Sequence, residues 1–353
     1  MKIWALVHPG LEKTCQEEIK ELLDVNSTLG VSVVEFEVKK KEDLLFFLRQ
    51  VQSAQRILFP LARKEKIEGL DFSGFPWKDF VLPDSSLMID LEHIHGQELR
   101  QGIISQVGKT VSQTIEEQCK FLPAFNLKNP GIIILIRFTG KEFLIGIDLV
   151  GKELNKRHYR VFPHQASFTG DIAYYLIKEA QFKPGERLLV GLAKDGTLAI
   201  EAALFANTLP VHKDILLKFP FLEGVKLESS QKEKTIIYAF DEALPNLMAA
   251  RKNISLAGVK DFVTIQKLAV DELDVKFAEK EFERIMFQIT TKDEDKINEI
   301  YYQSSYLLRK GGTLFLITRK KLDLSVPEKF SLVRKDELKR GESVHSLWLL
   351  QRR

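Results

Sequence analysis

The stretch RLLVGLAKDGTLAIEAALFA, Arg187 to Ala206, places an apolar strand, a loop with Gly191 and Gly196, and an amphipathic helix in the order of a nucleotide-binding turn. Phosphate chemistry does not follow from it. A phosphate-cradling loop carries Lys and then Ser or Thr after its second glycine, whereas Gly196 is followed by Thr197 and Leu198, and the dinucleotide fingerprint G-x-G-x-x-G is absent. A second stretch with chemical potential is KELNKRHYR, in which Lys152, Lys156, Arg157 and Arg160 surround His158 and Tyr159. Cations neutralise phosphates and aromatic rings stack on unpaired bases, so this run suits RNA; the plainer alternative is a solvated interdomain linker. Lys64, Lys66 and Lys128 are candidates to extend such a surface. His95 and His164 lack an evident acid partner and read as structural or surface histidines. Cys15 and Cys119 are too few and too isolated for a disulfide framework or a zinc site, so no metal is expected and a reducing cytoplasm fits.

A chain of 353 residues exceeds one average domain, so two or more are expected to position these stretches. With 44% hydrophobic and 29% charged residues the composition is that of an ordinary globular protein. The net charge of +3 identifies no strongly basic module, so a case for nucleic acid rests on local patches. No run approaches the roughly 18 apolar residues of a membrane span, and MKIWALVHPG is too short for the apolar part of a signal peptide.

The order of elements changes near residue 165. Before it, IWALVHPG reads as a strand, LEKTCQEEIKELL as a helix, VSVVEFEV as a strand, and LLFFLRQVQSAQRILFPLA as a helix-like run that breaks near Pro60. SLMIDLE alternates as a strand, QELRQGIISQVGKTVSQTIEEQ is a long helix, and GIIILIRFTGKEFLIGIDLVG is two strands around a Thr-Gly-Lys turn. After residue 165, helices and strands alternate: ASFTGDIAYYLIKEAQF, RLLVGLA, TLAIEAALFA, TIIYAFD, PNLMAARKNISLAGV ended by Gly258, and FVTIQKLAV, with RIMFQIT, GGTLFLIT and VHSLWLLQ as further strands. This α/β alternation implies a mostly parallel sheet whose ligands sit beyond the carboxyl ends of its strands. LEGVKLESSQKEK, residues 222 to 234, reads as an exposed loop.

The succession HPGLEKTCQEEIKELL, SAQRILFPLA and NLKNPGIIILIRFTGKEFLIGIDLVGKELNKRHYR, leading into HQASFTGDIAYYLIKEAQFKPGERLLV, resembles the THUMP-domain RNA methyltransferases that modify guanine N2 in tRNA or 23S rRNA. The likeness extends to FPF, Phe219 to Phe221, between two sheet strands. It implies a ferredoxin-like domain over residues 1–62, a THUMP domain over 63–160 and a Rossmann-like class I methyltransferase domain over 161–353. It also implies S-adenosylmethionine as the ligand of the loop. Where relatives read D-P-F-C-G-S-G-T, this chain has Val190 to Thr197, so Gly196 and Thr197 keep the turn, Val190 replaces an acid and Lys194 replaces a glycine. Asp241, at the tip of TIIYAFD, is the residue matched to ribose recognition, with a solvated acid or helix cap as its structural alternative. The adenine-side acid falls at Ala269, with Asp271 two residues late. The Asn-Pro-Pro-Tyr-like tetrad becomes Gln288, Ile289, Thr290 and Thr291, of which Gln288 can accept a hydrogen bond and Thr291 cannot stack a base.

These departures lead to an RNA-binding protein with a degenerate methyltransferase site, with S-adenosylmethionine as its cofactor if it has one. An active but divergent guanine-N2 methyltransferase is the alternative, and a scaffold that binds a protein partner through Leu192 and Ile289 is the third reading. A nicotinamide-dependent oxidoreductase is disfavoured by the glycines. The expected partner is tRNA or rRNA, with neither DNA nor membrane. Lys152, Lys156, Arg157, Tyr159 and Arg160 are the residues matched to RNA.

Overall fold

The computed structural model describes residues 1–213, 219–225, 234–319 and 322–353. These separate into two units, residues 1–154 with the described part of 212–229, and the described parts of 155–211 and 230–353. Most of the charged segment expected as a loop, residues 226–233, lies outside the described residues.

The first unit contains β1 (Lys2–Val7), α1 (Glu12–Leu23), β2 (Ser27–Gly30), β3 (Val33–Glu37), α2 (Lys41–Gln50), β4 (Ala54–Lys64), β5 (Ser86–Glu92), α3 (Gln97–Cys119), β6 (Ala124–Phe125), β7 (Ile132–Phe138) and β8 (Phe143–Asp148). Its strands form one sheet in the order β2-β3-β1-β4-β8-β7-β5-β6. The alternation of SLMIDLE is realised in β5, where Leu87, Ile89 and Leu91 are buried and the residues between them are half-buried. The expected helix across residues 44–62 is overturned in its second half. Helix α2 stops at Gln50, and AQRILFPLARK becomes β4, which pairs with β1 and β8. Pro60 is tolerated there because the β4–β8 register shifts between Pro60 and Ala62, so its missing N–H falls at an irregularity in the ladder. Phe219 and Phe221 of the FPF run join this unit, packing their rings 5.8 and 4.8 Å from that of Phe80.

In the second unit, α4 (Gly170–Glu179), β9 (Leu188–Gly191), α5 (Thr197–Ala206), β10 (Ile237–Asp241), α6 (Leu244–Ala257), β11 (Val263–Lys267), α7 (Leu273–Lys276), β12 (Phe282–Gln288), α8 (Glu294–Leu307) and β13 (Leu308–Arg319) alternate along the chain. A closing pair, β14 (Phe330–Arg340) and β15 (Ser343–Arg352), follows. The sheet order is β11-β10-β9-β12-β13-β15-β14. The first five strands are parallel, and β15 runs antiparallel to both of its neighbours. From β9 the chain moves outward through β10 to β11 and then returns to β12 on the other side. The crevice beyond the carboxyl ends of β9, β10 and β12 is therefore the topological switch point, where open α/β sheets bind ligands. No helix among the described residues is long and apolar enough to cross a membrane.

Candidate functional site

The loop after β9 is held by backbone geometry first. A Cβ on Gly191 would lie 2.1 Å from Cε1 of Phe287 on β12, so only glycine allows the ring to pack there. Gly196 sits at φ 81° at the start of α5, and its N–H donates to the Ala193 carbonyl at 2.8 Å. Between the two glycines, Leu192 and Lys194 both adopt φ 54°, a left-handed conformation that costs a side-chain-bearing residue about 1–3 kcal/mol. Asp241 holds this conformation in place. Its Oδ2 accepts from the Lys194 N–H at 2.8 Å, and its Oδ1 accepts from Ala243 N–H at 2.9 Å and Asn246 Nδ2 at 3.0 Å.

A second carboxylate anchors the other end of the loop. Asp195 is fully buried; its Oδ1 accepts from the Thr197 N–H and hydroxyl at 3.2 and 2.8 Å, and its Oδ2 accepts from His164 N–H at 3.0 Å and Arg160 Nε at 3.3 Å. The buried Asn253 side chain on α6 donates to the Asp195 and Phe162 carbonyls, at 2.9 and 3.0 Å, and accepts from Phe162 N–H at 3.1 Å. Gly196 and Thr197 thus keep the turn expected of them.

Lys194 alters the chemistry of the crevice. Its side chain is buried, with 6% of the residue exposed, and crosses from the β9 loop to the tip of β12, where Nζ donates to the Gln288 carbonyl at 3.3 Å. Burial lowers its ammonium to about 8, against the opposing pull of Asp241 and Asp195. Val190 is 1% exposed in the middle of the sheet, paired to Ala239 and Met286, and offers no polar group to a ligand. A buried ammonium in this position opposes a positively charged group placed beside it.

A cavity of about 700 Å³ lies at the ends of β12 and β13, walled in part by Ala166, Gln288, Thr291, Arg319, Arg340 and His345. The Gln288 side chain donates to the Ala166 carbonyl at 2.7 Å, and the Thr291 hydroxyl accepts from Asp293 N–H at 3.0 Å ahead of α8. Both predicted tetrad positions therefore line this cavity while hydrogen-bonded within the protein. Lys292, Arg319 and Arg340 outnumber Glu342 on its walls. Burial, then Arg340 and Arg319, hold the His345 imidazole below its ordinary range.

Three sequence expectations need correction. Asp271 stands exposed in a turn over Val270–Glu272, whereas β11 ends at Lys267, so it shares no strand face with the position it was to replace. Arg157 and Tyr159, expected to contact RNA, belong to the interior: Arg157 donates Nε and Nη2 to Glu201 at 2.8 and 3.1 Å, and the Tyr159 hydroxyl donates to the same carboxylate at 2.7 Å. Burial and then Glu201 push the Tyr159 hydroxyl well up. Arg160 is tied to Asp195, which leaves Lys152 and Lys156 as the exposed cations of the run. For the scaffold reading, Leu192 packs against the core and Ile289 is 1% exposed, so neither forms an exposed apolar face. Sequence reasoning also missed Glu201, although a lone acid inside the apolar TLAIEAALFA is itself a signal. Helix α5 is buried almost all round rather than amphipathic, so that acid requires an internal cation.

Residues 157–341 match the family UPF0020: RMKL-like, methyltransferase domain, and the chain belongs to that family. Among its relatives is the tRNA (guanine(6)-N2)-methyltransferase of Archaeoglobus fulgidus, 22% identical over 76% of this chain and 69% of the relative. Another is the ribosomal RNA large subunit methyltransferase K/L of Photobacterium profundum, 24% identical over 76% of this chain and 41% of that longer protein. The crystal structure of TrmN from Thermus thermophilus shares the fold, with a TM-score of 0.71, 20% identity and coverage of 100% of this chain and 99% of that one.

Proposed function

We propose that the protein binds tRNA or rRNA in the cytoplasm and that its methyltransferase site has lost the donor. In this reading residues 1–62 form a ferredoxin-like domain, 63–160 a THUMP domain and 161–353 the Rossmann-like methyltransferase domain. The observation that carries the loss is Lys194, whose buried ammonium reaches the Gln288 carbonyl across the crevice. Val190 in place of an acid and the Gln288–Thr291 tetrad point the same way. The RNA side of the reading rests on the names of the relatives and on the exposed Lys64, Lys66, Lys128, Lys152 and Lys156.

The test has two parts. Titration of the protein with S-adenosylmethionine should give at best weak binding, and radiolabel transfer to bulk tRNA and rRNA should stay at background while both RNAs are bound with a steep salt dependence. A second reading, an active divergent guanine-N2 methyltransferase, draws support from the cavity retained beside Gln288. Micromolar donor affinity together with transfer would establish that second reading and reject the first.

A further inference from the structure

A groove of about 720 Å³ lies beside the outermost parallel strand of the second sheet, lined from α6, the turn after it and β11, and it shares no residue with the cavity at the ends of β12 and β13. Its walls carry Arg251, Lys252 and Lys260 and no carboxylate, with Phe162 and Leu256 as exposed apolar members. None of the three cations forms an ion pair among the described residues.

Phe162 is held in place although its side chain reaches solvent. The residue is 38% exposed, yet its N–H donates to Asn253 Oδ1 at 3.1 Å and its carbonyl accepts from Asn253 Nδ2 at 3.0 Å, and Asn253 is wholly buried on α6. Pro163 follows and restricts the Phe162 backbone further. Lys252 Nζ lies 4.5 Å from the centre of the Phe162 ring, so a positive charge stands against the aromatic face. A ring already fixed in this way loses little further freedom when a flat ligand stacks on it.

A fixed aromatic surface beside unpaired cations is the combination that binds single-stranded nucleic acid, because the cations neutralise phosphates while the ring stacks on a base. The competing use of this face is addition of a polypeptide strand to the open edge of β11, which calls on backbone groups of β11 and neither on the cations nor on the ring. We propose that the groove binds a single-stranded segment of RNA, with Phe162 as the stacking surface and Arg251, Lys252 and Lys260 as phosphate contacts. This rests on the RNA-binding reading, and adds to it a second surface and a preference for unpaired RNA.

Fluorescence anisotropy on the full chain, with a short oligoadenylate and a blunt RNA duplex of matched length, separates ring from charge. Phe162→Leu keeps apolar bulk and loses the ring; it should weaken oligoadenylate binding by about tenfold, within the range for loss of one stacking ring, and leave the duplex within about twofold. Phe162→Trp should bind as the unaltered protein does. Arg251→Gln, Lys252→Gln and Lys260→Gln together should weaken both RNAs and lower the slope of log affinity against log salt for the oligoadenylate by about 2, at about 0.7 for each phosphate contact. All of these side chains are exposed, so denaturant unfolding should place the variants close to the unaltered protein.

A triple variant that kept both affinity and slope would overturn the proposal. So would Phe162→Leu weakening the two RNAs equally, or Phe162→Trp binding as poorly as Phe162→Leu. If the chain held bulk tRNA with a steep salt dependence while the groove variants matched it, only the inference would fall, and the strand-edge use of the face would remain. If the unaltered chain bound neither oligonucleotide nor bulk tRNA, the RNA-binding reading would fall with it.

Discussion

Arg157→Ala and Lys156→Ala should behave as opposites although the residues are adjacent. Arg157 and Glu201 both have fully buried side chains, and the guanidinium makes two hydrogen bonds to the carboxylate that also accepts from Tyr159. Removing one member of a buried ion pair leaves its partner's charge without that compensation and typically costs about 3–5 kcal/mol. Tyr159 still bonds the carboxylate, so the lower half of that range, about 3–4 kcal/mol, is expected for Arg157→Ala. That is a large fraction of the total stability of about 5–15 kcal/mol usual for a domain. Gly170 is part of the same arrangement, because a Cβ there would fall 2.3 Å from Arg157 Nε. Lys156 is exposed, so Lys156→Ala should stay within about 0.5 kcal/mol of the unaltered protein. If Lys156 contacts phosphate, its loss lowers the slope of log affinity for RNA against log salt by about 0.7–0.9. Urea unfolding followed by fluorescence, alongside filter binding to bulk tRNA across a salt series, measures both. An Arg157→Ala protein with an unchanged unfolding midpoint would refute the buried-pair argument. Combining the two substitutions would confound loss of contact with loss of fold.

Other perturbations follow from the same geometry. Lys194 has its folded-state value lowered to about 8 from an ordinary 10.5, so the unfolded chain binds more protons between those limits and stability should rise as pH increases through that window. The corresponding cost at neutral pH is on the order of 3 kcal/mol, so Lys194→Met should be more stable at pH 7 and lose the alkaline rise, as denaturant titrations at pH 7 and pH 10 would record. Gly191→Ala drives a methyl group into the Phe287 ring and should cost about 1–3 kcal/mol or more, measured as a lowered melting temperature. Asn253→Ala removes a buried amide with three hydrogen bonds to Phe162 and Asp195; a loss of about 1–3 kcal/mol should be accompanied by faster hydrogen exchange of the Phe162 N–H.

Much of the sheet that frames the crevice was legible because its strands carry a repeating apolar signal. Leu188–Gly191 and Ile237–Asp241 are short, mostly buried runs bounded by turn residues, and Gly258 closes α6 at φ 70° as a helix-ending glycine should. Strand β14 was missed for the converse reason. FSLVRKDELKR lies at the edge of the sheet with most of its residues exposed, and the charges that blunt an edge strand also erase its alternation. Strand β4 was misread in part because its apolar run continues from α2 without a turn signal except Pro60, and the register shift that accommodates Pro60 is decided by β8.

The site was legible in its backbone and illegible in its partners. A sequence gives the type of each charged residue but not which way it points, and KELNKRHYR shows how much depends on that. Its spacing puts Lys156 at the surface and directs Arg157 and Tyr159 inward to Glu201, 44 and 42 residues away in the chain. The same uncertainty of direction governs Lys194. Its charge and its place in the loop after β9 are plain from the sequence, whereas its reach to the Gln288 carbonyl depends on a positive φ that Asp241 stabilises. The residue expected to serve a ribose thus holds, through a backbone N–H, the side chain that changes what the crevice can accept. Substituting Asp241 alone would therefore release the loop as well as remove a candidate ligand contact, and only variants at Lys194 separate charge from scaffold.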